Sequence, residues 1–183
     1  MKINIFENIP TLNNLANIAW VNNTLSLVGV VLPGTISFNT VAMILNLSST
    51  NSEQTISINF GLYSLNGSTL SLANSASYST SLSSNQSSVG FYATFATSAT
   101  QNINPGNWYF GLLPTGTNTG GAARAFNNSR PLTFSGGIYV GVLVRGYLSV
   151  STNALPASIA TSDVNKEGSS ANGQVYPYIL ISA

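Results

Sequence analysis

The sequence offers few side chains that can act as acids, bases or metal ligands. It has nine charged residues, no histidine and no cysteine. The four acids are Glu7, Glu53, Asp163 and Glu167. Metal sites need clustered His, Cys or carboxylate ligands, and paired-carboxylate catalysis needs two acids across a cleft. Since these acids are scattered, we predict no metal site, no cofactor and no enzymatic activity.

A serine nucleophile is the remaining route to catalysis, because the chain has 27 serines. Such a nucleophile needs a neighbouring base. Without histidine, the only amine side chains are Lys2 and Lys166, so a Ser–Lys pair is the weaker interpretation.

Arginine and tyrosine side chains are the better candidates for binding. Arg124, Arg130 and Arg145 are the only arginines, and they can pair across a subunit contact or bind an acidic sugar. The alternative for Arg124 and Arg130 is that they solvate a long loop. Tyrosine tolerates half-exposure, which makes five tyrosines candidates for an interface or a sugar platform: Tyr63, Tyr78, Tyr92, Tyr139 and Tyr147.

Charge and hydropathy narrow the classes of partner. The net charge is +1, and no cluster of Lys and Arg is present to bind a nucleic-acid backbone or an anionic membrane. No segment approaches the about 20 apolar residues of a spanning helix. The first residues lack the apolar run of a secretory leader, so we expect synthesis in the cytoplasm.

Uncharged polar residues must solvate this chain, because only 5% of residues are charged against about 25% in ordinary soluble domains. The sequence contains 27 Ser, 23 Asn and 17 Thr. Such a surface is easily desolvated, since no ion loses its water. This favours a protein that packs against other proteins, although a polar compositional bias of the host explains the same numbers.

The elements that position these residues are predicted to be strands. From residue 25 onward, alternating apolar residues and turn signals predict about eight antiparallel strands, typical of a single β-sandwich and most simply a jelly roll. Residues 1–24 are predicted to be an N-terminal arm, in which Leu15, Ile18 and Ala19 have the spacing of a short helix. The predicted division is therefore 1–24 and 25–183.

Several local features are predicted within the sandwich. A change of phase near Thr40 indicates a β-bulge, and Asn66-Gly67 indicates a hairpin turn. Residues 74–88 are either a loop or a polar strand. Residues 115–135 are predicted to be a long loop that carries Arg124 and Arg130. Residues 155–164 are compatible with a helical turn.

Three segments resemble a β-sandwich domain that is common in the virion proteins of tailed bacteriophages. They are residues 60–72 (FGLYSLNGSTLSL), 103–110 (INPGNWYF) and 154–159 (ALPASI). Their order matches that of the family, and the resemblance extends over residues 25–183. It implies a virion role, commonly as a homotrimer, and it carries no catalytic residues.

Two functions follow from this resemblance. Because only 24 residues precede the domain, we expect a capsid decoration or cement protein, which contacts itself and the major capsid protein. The alternative is a receptor-binding head of a tail or head fibre, with residues 115–135 contacting a host surface glycan. In either case we expect the protein in the virion.

Overall fold

The computed structural model describes residues 15–19, 23–32, 34–47, 53–83, 89–115, 121–127, 132–133, 139–140, 142–166, 175–177 and 179–182. In this part of the chain the protein is all-β, as predicted, apart from one 3₁₀ turn at Thr161–Asp163. The strands in chain order are β1 (Leu15–Ala19), β2 (Thr24–Leu32), β3 (Ile36–Leu47), β4 (Gln54–Asn66), β5 (Thr69–Leu82), β6 (Val89–Ile103), β7 (Gly106–Pro114), β8 (Gly121–Asn127), β9 (Leu132–Thr133), β10 (Tyr139–Val140), β11 (Val142–Ser149), β12 (Ser158–Ala160), β13 (Asn165–Lys166), β14 (Val175–Pro177) and β15 (Ile179–Ser182).

The strands form two main antiparallel sheets. A seven-stranded sheet has the order β12-β5-β4-β7-β2-β11-β13. In a six-stranded sheet, β3 pairs with β6 along one edge and with β8 and β15 along the other. There β8 also pairs with β1 and β14. Strands β9 and β10 form a separate two-stranded ribbon.

The seven-stranded sheet is strongly curled. Its two outermost strands, β12 and β13, come from one short piece of chain, since Ala160 ends β12 and Asn165 begins β13. Five residue steps reach at most about 17 Å. In a flat sheet these strands would be six spacings, or about 29 Å, apart. The sheet must therefore bend until its edges approach each other.

Both faces of this curled sheet carry buried apolar residues. One face forms a cluster with the chain that follows β11; its buried members are Leu25, Leu27, Tyr63, Leu70, Tyr109, Leu113 and Ile159. The opposite face carries Ile58, Phe60, Leu62, Phe110 and Leu112, all nearly inaccessible to solvent. The Phe60 and Phe110 rings pack there with centroids 5.8 Å apart. Both the odd-numbered and the even-numbered positions of the central strands therefore carry apolar residues.

The predicted bulge and hairpin are confirmed. The pairing of β3 with β6 shifts register between Phe38 and Thr40. Asn66 pairs with Thr69, so Gly67 and Ser68 are the two central residues of the turn. Gly67 has φ of +60°. A positive φ at the first central residue is the geometry of a type II′ turn, which favours glycine there.

Two predictions about the local elements are wrong. Leu15–Ala19 is a strand rather than part of a helix, because it pairs along its whole length with β8, and a short isolated helix is marginal in water. Residues 115–135 are not one long loop, since Gly121–Asn127 is a strand with partners along both edges. Residues 1–14 lie outside the described residues.

Candidate interaction surface

Tyr63 is central to the curled sheet and does not form a sugar platform. It is fully buried, which corrects the expectation of half-exposure. Its ring lies over the cross-strand pair of Gly61 and Gly111. A Cβ atom added at these glycines would lie 2.7 and 2.9 Å from Tyr63 Cε2, respectively. Both positions therefore require glycine so that the ring can lie against the backbone.

The chain that crosses the curled face, here called the crossing segment (residues 150–166), is held by hydrogen bonds. The Tyr63 hydroxyl donates to the Pro156 carbonyl oxygen at 3.1 Å. Asn59 Nδ2 donates to the Asn153 carbonyl oxygen at 2.8 Å. Burial raises the pKa of Tyr63 to about 12, so the hydroxyl remains a donor at neutral pH. Both side chains hold the crossing segment in place, and neither is activated for a reaction.

The main polar surface of the described chain lies on β4 and β5. The side chains of Ser75, Ser77, Ser79 and Ser81 are exposed at every second position of β5, and we call this set the serine face. In the register with β4 they lie opposite Gly61, Asn59, Ser57 and Thr55, in that order. The Ser57 and Ser79 hydroxyl oxygens are hydrogen-bonded at 2.9 Å. All of these groups are uncharged.

The outer edge of β5 is paired at its start. Strand β12 pairs with residues 69–71 of β5, and the Leu72 amide donates to the Ala157 carbonyl oxygen at 2.9 Å. Further along β5, the Ser75 amide donates to Asn74 Oδ1 at 2.6 Å, and strand β6 lies close to β5. Residues 74–82 are strand, which resolves the alternative of loop or polar strand for the part up to Leu82.

Of the predicted binding residues whose side chains the structure describes, Tyr63 is buried, Tyr78 is half-buried and Tyr147 is exposed. The Tyr147 side chain is 41% exposed, and it lies opposite Ser26 in the pairing of β11 with β2. Arg145, two positions earlier on β11, lies opposite Val28. For Arg145 the structure describes the strand position alone.

Two other predicted residues lie on other elements. Arg124 is on β8 of the six-stranded sheet, opposite Asn17. Tyr139 is on the ribbon, opposite Thr133. Arg130 lies outside the described residues. The prediction that Arg124 lies in a long loop is therefore wrong, because Arg124 occupies a paired strand.

Acidic side chains do not gather in the described part of the chain. Glu53 and Asp163 are both exposed, and Asp163 Oδ1 accepts a hydrogen bond from the neighbouring Ser162 hydroxyl at 3.3 Å. No group of three or more His, Cys, Asp or Glu residues is found among the described residues. None of the described helical structure is long and apolar enough to cross a membrane.

Sequence reasoning missed the serine face. The signal was present, because Ser75, Ser77, Ser79 and Ser81 recur with the period of a strand. Strands are normally recognised from apolar residues at every second position, whereas here the residue that repeats is polar. The pairing of β12 with only the start of β5 depends on the path of the crossing segment, which local sequence does not reveal.

No protein-family model matches this chain, and no curated protein matches it in sequence.

Proposed function

We propose that this chain is a non-enzymatic structural protein of a tailed-phage particle, acting as a capsid decoration or cement protein. The observation that carries the proposal is the serine face. Uncharged hydroxyl groups exposed in a regular row suit contact with other proteins more than contact with ions. The three segments that resemble phage virion sandwiches point the same way.

The mechanism would be physical. A charge-free surface can be buried against neighbouring subunits without stripping water from ions, which is a large cost of burying charged side chains. The buried layers on both faces of the curled sheet keep that surface rigid, so little conformational entropy is lost on binding. Contacts with several capsid subunits would then hold the shell together. A jelly-roll connectivity and a homotrimer belong to this proposal through the resemblance.

The proposal is tested by adding the purified protein to shells of the phage that encodes it, prepared without this chain. We expect the protein to co-sediment with the shells at a saturating stoichiometry and to raise the temperature at which they release DNA. Bovine serum albumin is the control for non-specific adsorption. Absence of co-sedimentation would contradict the decoration role.

A second function is favoured by the exposure of Tyr147. An aromatic ring that is 41% exposed can stack on a sugar, and it lies two positions from Arg145 on β11. We propose the receptor-binding head of a fibre as this alternative, with a host surface glycan as the ligand. Retention of the protein on host cells, lost in Tyr147→Ala and kept in Ser71→Ala, would favour it over the decoration role.

A further inference from the structure

We infer that Asn66 is a site of spontaneous deamidation, and that conversion to isoaspartate there releases the hydrogen bond between the hairpin turn and the crossing segment. The reaction joins the Asn66 side chain to the backbone nitrogen of Gly67, in the turn between β4 and β5. Water is the only co-reactant, so neither an enzyme nor a cofactor is required. The inference does not depend on placement in a virion.

The reaction exchanges ammonia for water at the Asn66 side chain. The Gly67 nitrogen loses its proton to solvent and bonds to the side-chain carbonyl carbon, which expels the amide nitrogen as ammonia and closes a five-membered succinimide ring. Water then opens the ring. Attack at the side-chain carbon leaves an aspartate, whereas attack at the main-chain carbonyl carbon leaves the chain running through the side chain, as isoaspartate. Either product brings the net charge of the chain from +1 to zero.

The turn leaves both reacting groups accessible to water. Asn66 and Gly67 are exposed. Glycine has no Cβ atom to obstruct ring closure, and beyond its chain neighbours no heavy atom lies within 4 Å of the place that such an atom would occupy. The Gly67 nitrogen lies beyond the last pair of the ladder, which joins Asn66 to Thr69, so it can react without breaking a ladder hydrogen bond.

Asn74 provides a contrast on β5. It is half-buried, and its neighbour Ser75 has a Cβ atom beside the nitrogen that would have to attack. The Ser75 amide also donates its proton to Asn74 Oδ1 at 2.6 Å. We therefore expect Asn74 to deamidate more slowly than Asn66.

The isoaspartate product alters the attachment of the crossing segment. The Ser68 carbonyl oxygen in the turn accepts a hydrogen bond from the Thr161 amide at 2.8 Å, where the 3₁₀ turn of the crossing segment begins. Isoaspartate places one additional atom in the main chain between residues 66 and 67. A two-residue turn has a fixed backbone geometry, so the Ser68 carbonyl must move and this hydrogen bond is lost. Aspartate adds the same charge and leaves the main chain unchanged.

The test follows the full chain during incubation at pH 7 and at pH 9. Mass spectrometry of chymotryptic peptides locates the converted residues, and chromatography separates the isoaspartyl form. We expect Asn66 to react faster at pH 9, because the attacking nitrogen must be deprotonated, and faster than Asn74 at both pH values. In the isolated isoaspartyl form, the Thr161 amide, followed by NMR, is expected to exchange its hydrogen about fivefold faster or more, as the loss of one hydrogen bond implies.

Two variants separate the modification from its consequence. Asn66→Gln cannot close a five-membered ring, so it is expected to keep its amide and the slow exchange at Thr161. Freshly prepared Asn66→Asp has the charge without the altered main chain and is expected to exchange like the unaltered chain. The second Asn-Gly pair, Asn172-Gly173, lies outside the described residues and serves as an internal reference for the reaction.

Three results would each overturn the inference. The first is that Asn66 keeps its amide, whether or not Asn172 loses its own, because the hairpin would then protect it. The second is that Asn66 reacts no faster than Asn74. The third is that exchange at Thr161 is unchanged in the isoaspartyl form, or is accelerated as much in Asn66→Asp.

Discussion

At the scale of single residues, the molecule depends on close contact between one tyrosine and two glycines. The Tyr63 ring occupies the space above the Gly61–Gly111 pair that side chains would otherwise fill. The sequence segment FGLY places Gly61 two positions before Tyr63, which puts both on one face of β4. The sequence therefore indicated a shared face, while the burial of the tyrosine depends on the crossing segment above it.

Replacing Gly61 by alanine is expected to lower the free energy of unfolding by about 1–3 kcal/mol. The new Cβ would lie 2.7 Å from Tyr63 Cε2 and 3.2 Å from Leu155 Cδ1, so the ring and the crossing segment must both move. Urea unfolding measures the change. Gly34→Ala is the control, because no heavy atom lies within 4 Å of the added Cβ. Equal losses in the two variants would show that packing around Tyr63 is not the cause.

At the scale of elements, alternation of apolar residues predicted most strands correctly. Residues 55–64 alternate in this way and form part of β4, and the short aromatic run at residues 108–113 forms part of β7. The segments that were missed lack such a pattern: Gly121–Asn127 is rich in alanine, and Leu15–Ala19 is short. Both become strands because partners supply their backbone hydrogen bonds, which is a property of the whole sheet and not of the local sequence.

Burial of Tyr63 beneath the crossing segment makes the stability of the fold depend on pH. The pKa of Tyr63 is raised by burial from 10.0 to about 12. An unfolded chain releases this proton near pH 10, whereas the folded chain keeps it, so the free energy of unfolding is expected to fall as pH rises from about 10 to 12. In Tyr63→Phe this fall should be smaller, although Tyr109, whose pKa is also raised by burial, will retain part of it.

The same variant removes the hydrogen bond to Pro156. It is expected to cost about 1 kcal/mol of unfolding free energy at pH 7. Urea unfolding at several values between pH 7 and 11 measures both effects. An unchanged slope above pH 10 in Tyr63→Phe would contradict the assignment of the alkaline loss of stability to this hydroxyl.

At the scale of the whole molecule, the composition and the architecture both favour contact with other proteins. A chain with nine charged residues folds into sheets whose described exposed surface is largely Ser, Thr and Asn, and whose apolar residues are buried on both faces of one sheet. The low charge and the all-β class were evident from the sequence. The curl of the sheet was not evident, because it arises from contacts between residues far apart in the chain.

The central claim is that this protein belongs to the shell of a phage particle. Antibody-gold labelling of intact particles, viewed by electron microscopy, tests it most directly. We expect label over the whole head, and no label on particles from a phage that lacks this chain. Label confined to the tail or to a few fibres, or its absence from intact particles, would contradict the claim.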